Sequence, residues 1–82
     1  MWVLTKESRA VNLALVPVIE RRKAQTGGFW IMALFNGDEV VLAHALTTNE
    51  AEKLIAYLLT MQGAGVPFVN LTEKEQNYES HR

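Results

Sequence analysis

Phe29-Trp30-Ile31-Met32-Ala33-Leu34-Phe35, then Asn36-Gly37, then Asp38-Glu39-Val40-Val41-Leu42-Ala43-His44-Ala45-Leu46, is the run of residues on which the fold turns. The first seven are all apolar and are bounded by Gly28 and Asn36, the pattern of a buried strand too short for a helix. Asn-Gly is the pair that best tolerates positive φ at both central positions of a type I′ turn, so the chain reverses there into a tight hairpin. Glu39 to Leu46 is the returning strand. Along the first strand Phe29, Ile31, Ala33 and Phe35 point one way, while Trp30, Met32 and Leu34 point the other.

Upstream, Trp2 to Thr5 reads as a short strand closed by the polar turn Lys6-Glu7-Ser8-Arg9. The aliphatic run from Val11 to Lys23 is interrupted by Pro17, which cannot donate to a ladder. It therefore divides into an extended piece or single helical turn at Asn12 to Leu15, and a strand at Val18 to Arg22. Ala24 to Gly28 is a loop.

Downstream, Thr47 and Glu50 have the spacing of a capping box, and Glu50 and Glu52 complement the helix dipole. Ala51, Leu54, Ile55, Leu58 and Leu59 recur at helical spacing, and Gly63 is a natural stop. Val66 to Leu71 is a brief further strand reached through Pro67. Thr72 to Arg82 is polar and aperiodic, the signature of a flexible tail. The expectation is one α+β domain over residues 1–71, followed by that tail. It is an antiparallel four-stranded β-meander, curved toward a half-barrel, with one amphipathic helix packed on one face.

Composition narrows the function classes. Eighty-two residues make one domain, and a chain of this size buries only about 60% of its unfolded surface. Yet 49% of the residues are hydrophobic, so apolar surface left over for an interface is expected. There is no cysteine, which excludes disulfides, thiolate metal sites and thiol nucleophiles. A net charge of −1 gives no bulk attraction to nucleic acid or anionic membrane. Charge is uneven all the same. Lys6, Arg9, Arg21, Arg22 and Lys23 against Glu7 and Glu20 give +3 over residues 1–23, and Asp38, Glu39, Glu50 and Glu52 against Lys53 give −3 over residues 38–53. Lys6-Glu7 breaks the only apolar start a signal peptide would need, and no run is long enough to span a bilayer, so the expected setting is cytoplasmic.

No motif for chemistry is present. His44 stands alone in an apolar strand, with Glu39 and Glu50 as its nearest acidic company, and reads as a core or edge histidine. There is no Gly-x-Ser-x-Gly elbow, and Gly63-Ala64-Gly65 follows a helix instead of opening one, which suits a cap and not a phosphate cradle. No enzyme activity, cofactor or metal is expected. Two binding readings remain. One helix covers one face of the sheet, so Trp30, Met32 and Leu34, with Val41 and Ala43 or their alternates beside them, are candidate contacts of a homodimer unless Val66 to Leu71 folds over them. The alternative is a nucleic-acid-binding regulator using Arg21, Arg22 and Lys23, with Trp30 for stacking. The plainer reading of that basic cluster is a solvated strand end.

Trp2-Val3, Val11-Asn12-Leu13, Gly37 through Leu42, and the helix start at Thr48, Glu50 and Ala51 succeed one another in a recognisable order. That order resembles a loose group of short, uncharacterised bacterial and bacteriophage proteins of β-meander-plus-helix build, over residues 1 to about 62. Ala14 and Pro17 depart from the polar residues such proteins place after the Asn-Leu step. The resemblance implies a fold and a phage or mobile-element setting. It supplies no shared activity and no site residue. Taken together, a non-enzymatic, self-associating interaction module is the leading expectation.

Overall fold

In the computed structural model, residues 1–72 are described, and all but Thr72 of the expected tail lies outside them. The domain is α+β, but the described residues form six strands in two sheets of three instead of a single four-stranded meander. Strands β3 (Val18–Lys23), β4 (Phe29–Phe35) and β5 (Asp38–Ala45) form the meander proper. Strand β1 (Trp2–Leu4) leaves it for a second sheet, between antiparallel β2 (Ala10–Asn12) and parallel β6 (Phe68–Asn70).

The departure of β1 has a local cause in Thr5. Its side chain is buried, and Oγ1 accepts the backbone N–H of Glu7 (3.3 Å) and of Arg9 (3.0 Å). Its own N–H donates to the Arg9 carbonyl at 2.7 Å, and its carbonyl accepts from Ser8, a residue held at φ +67°. One hydroxyl thus folds the polar turn into a hairpin, and β1 pairs with β2 just beyond it. After β2 the chain makes one turn of 3₁₀ helix, Leu13–Leu15, capped by the Asn12 side chain on the Ala14 N–H. Pro17 then separates that turn from β3.

The β4–β5 hairpin closes through Asn36 (φ +52°) and Gly37 (φ +79°), as the Asn-Gly pair requires. Its register is interrupted once. Ile31 faces Ala43 and Met32 faces Val41, which leaves Leu42 as an extra residue in a β-bulge. The carbonyl of Leu42 accepts the N–H of Lys6 at 2.9 Å, so the bulge is where the two sheets are stitched together. It also resets the alternation of β5. Val40, Leu42, Ala43 and Ala45 are all buried in the core, while Glu39, Val41 and His44 turn outward.

Helix α1 (Thr48–Gly63) packs on the inner face of β3–β4–β5. Thr47 Oγ1 accepts the Glu50 N–H at 3.1 Å. The reciprocal bond of the capping box is displaced by one residue, for Glu50 Oε1 accepts from Leu46 and not from Thr47. The helix ends at Gly63, as its sequence suggests. Val66 donates to Met61 and Gly65 to Gln62, a Schellman closure centred beyond Gly63. Ala51, Leu54 and Leu58 are fully buried, Ile55 is half-buried, and Leu59 is 57% exposed. Leu59 lies about 100° round the helix from Leu58, too far to share its stripe. Val3, Val11, Val69 and Leu71 meet the helix stripe and the inner face of the meander in one core. The C-terminal strand therefore enters that core beside β1 and does not fold over Trp30, Met32 and Leu34.

Candidate functional site: two outer faces

Each sheet keeps one face away from the core. On β3–β4–β5 that face carries Glu20 and Arg22, then Trp30, Met32 and Leu34, then Glu39, Val41 and His44, in cross-strand register. Arg22 bonds Glu39 on the far strand (Nη1 to Oε1, 2.8 Å) and Glu20 on its own (Nη2 to Oε2, 2.8 Å). Since β4 lies between β3 and β5, the Arg22–Glu39 bridge crosses above β4. Arg22 is opposite Trp30 and Glu39 opposite Leu34, so the residue beneath the crossing is Met32. Met32 is accordingly only 6% exposed, although it points away from the core. The bond from Arg22, and then its charge, hold the Glu39 carboxyl below its ordinary value, while Arg22 is raised by Glu39 and then Glu20.

Trp30 and Leu34 flank this bridge and are half-buried. The Trp30 ring meets His44 edge-on at 4.8 Å between centroids. His44 reaches this face because the bulge turned it outward. Its Nε2–H donates to the Gly27 carbonyl at 3.0 Å. Gly28 lets the ring approach, for a Cβ there would stand 2.7 Å from the imidazole and 2.5 Å from the Ala45 carbonyl oxygen. His44 is thus occupied with the loop and the indole. Among the described residues, no three histidines, aspartates or glutamates are grouped to hold a metal, and no helix is long and apolar enough to cross a membrane.

The basic trio is divided by strand alternation. Arg21 turns to the inner side, bonds Glu52 of α1 at 2.8 Å and lies 5.8 Å from the Phe29 ring centre. Arg22 is on the outer face within its two-glutamate bridge, and Lys23 is exposed at the strand end.

The second outer face belongs to β2–β1–β6. Trp2 and Phe68 sit in register on adjacent strands, 51% and 54% exposed, with Leu4, Ala10, Asn12 and Asn70 around them. Sequence reasoning passed over this aromatic pair. The signal was present in Trp2-Val3-Leu4 and Phe68-Val69-Asn70, both three-residue strands with a buried valine at the centre. What neither stretch revealed is that they are neighbours.

A third feature is a groove of about 480 Å³ between the 3₁₀ turn, the start of β3 and α1, lined by Leu13, Pro17, Ile19, Ile55 and Leu59. Gln62 borders it, and its Oε1 is buried with no hydrogen-bond partner among the described residues. Compared with protein-family models, curated proteins and solved structures, the chain matches none. The resemblance to short phage and bacterial proteins rests on residue order alone.

Proposed function

We propose that this protein is a non-enzymatic interaction module that associates with a second copy of itself. One observation carries the reading: two large aromatic side chains, Trp2 and Phe68, stand side by side on a sheet face with more than half of each exposed. Aromatic residues grouped in this way are the commonest anchors of protein interfaces. The face bearing Trp30, Met32 and Leu34 offers less, because the Arg22 bridge covers its centre. The nucleic-acid reading has weaker support, since Arg21 and Arg22 lie on opposite faces and each is bonded to glutamate. Sedimentation equilibrium tests the proposal. The full chain should dimerise in the micromolar range, and the double change Trp2→Ser with Phe68→Ser should abolish this while Leu34→Ser does not. Association lost with Leu34→Ser alone would transfer the interface to the larger sheet.

A further inference from the structure

The four sheet edges formed by the described residues are not equally defended. An edge strand presents unpaired N–H and C=O groups, and folded proteins discourage strangers there with charge, bulges or cover. Strand β3 carries Glu20, Arg21, Arg22 and Lys23. Strand β5 opens with Asp38 and Glu39, contains the Leu42 bulge and is bonded by Lys6. Strand β2 lies between Arg9 and the 3₁₀ turn, and shows only Ala10 and Asn12 to solvent. Strand β6 has no charge and no bulge, and it exposes Phe68.

Its ladder phase shows which groups are unspent. Trp2 N–H donates to the Pro67 carbonyl, and Leu71 N–H donates to the Leu4 carbonyl. In a parallel ladder of this phase Val69 also faces β1, so the N–H and C=O of Phe68 and Asn70 point outward. Among the described residues none of these four groups has a backbone partner across the edge. They are spaced to satisfy an identical strand running the other way.

Resting on the self-association reading, we infer that β6 pairs antiparallel with β6 of a second copy, about a two-fold axis at Val69. Phe68 of each chain then lies opposite Asn70 of the other, and both exchange N–H···O=C bonds. Two three-stranded sheets become one of six, and each Phe68–Trp2 pair continues onto the neighbouring chain. The arrangement is closed, because the two-fold consumes the β6 edge of both chains and leaves β2, β3 and β5 outside the pairing.

The absence of cysteine allows a direct test. In the full chain, Phe68→Cys and Asn70→Cys are made separately, then oxidised alone and mixed. A hydrogen-bonded antiparallel pair has Cα atoms about 5.5 Å apart, within disulfide range. Residue 68 to residue 68, and 70 to 70, are about 8 Å apart by two residues of strand rise and one strand spacing, which is out of range. Cross-linked dimer should therefore appear in the mixture and be scarce in either variant alone. Asn70→Pro removes an outward N–H that has no backbone partner among the described residues, and should weaken dimerisation at least tenfold with an unchanged circular dichroism spectrum. A dimer that shows no 68–70 cross-link and tolerates Asn70→Pro would overturn the edge pairing and leave self-association standing. A full chain that stays monomeric at high micromolar concentration would overturn both.

Discussion

The two outer faces solve the same problem in opposite ways. Each sheet turns one side toward a shared core and must do something with the other. The larger sheet lays an arginine between two glutamates over its central methionine, and sets a histidine against its tryptophan. The smaller sheet leaves its tryptophan and phenylalanine bare. The difference is one of available length. Strands of six to eight residues have room for charged side chains on both flanks of an apolar centre. Strands of three have only two outward positions each, and on β1 and β6 a large ring fills one of them. A polar cover is built where strands are long, and apolar exposure collects where they are short.

The largest effect should come from beneath both faces. Leu58→Ala removes a fully buried side chain from the common core and should cost about 2–5 kcal/mol in chemical denaturation. Both sheets should be lost in one transition, and separate transitions would show that they do not share a core.

A change confined to the smaller sheet sharpens the contrast. Thr5→Val keeps the shape but strips the acceptor from the N–H groups of Glu7 and Arg9, at a cost of about 1–3 kcal/mol. Native-state hydrogen exchange should speed up at Val3 and Val11 well before Ile31 and Ala33. Equal acceleration everywhere would mean that the Thr5 turn does not hold the small sheet separately.

Arg22→Leu should alter stability by less than about 1 kcal/mol, since the bridge is exposed. It should nevertheless make the larger sheet's outer face adhesive, seen as association that survives the double change Trp2→Ser with Phe68→Ser. No new association would mean that Met32 has cover other than the bridge.

The smallest effect is electrostatic. Glu39 is held below its ordinary range by Arg22, so the bridge stabilises the fold above the carboxylate's unfolded pKa and is lost as pH falls through the folded one. An NMR titration should place the Glu39 midpoint below the ordinary glutamate range, and Arg22→Gln should raise it. A Glu39 midpoint that Arg22→Gln leaves in place would sever the two residues.

What could be read from the sequence was what neighbours in sequence decide. Phe29–Phe35, the Asn36-Gly37 turn and the Thr47 cap rest on contacts a few residues apart, and the structure has them there. Pro17 divided its segment as its missing N–H demands. The second sheet was illegible because its defining pair, β1 beside β6, joins two three-residue strands from opposite ends of the described chain. The Leu42 bulge was illegible because Val40, Leu42 and His44 alternate regularly in sequence, and nothing among them says that the pleat will slip. That slip sent Ala43 inward and put His44 beside Trp30. The sequence therefore yields the central residues of that outer face and misses their cover.

The pairing of β1 with β6 also orders events in time. The β4–β5 hairpin and α1 need only contacts that form as soon as their own residues exist. The parallel ladder needs the first strand and the last, and parallel, non-local pairings are the slow ones. During synthesis Trp2 therefore waits, unsheltered on one side, until Phe68 has left the ribosome. Pulsed hydrogen exchange on refolding should find Ile31 protected before Val69, and the reverse order would dismiss this sequence of steps. Of the described strands β1 is made first, and its β6 side should be among the last to close.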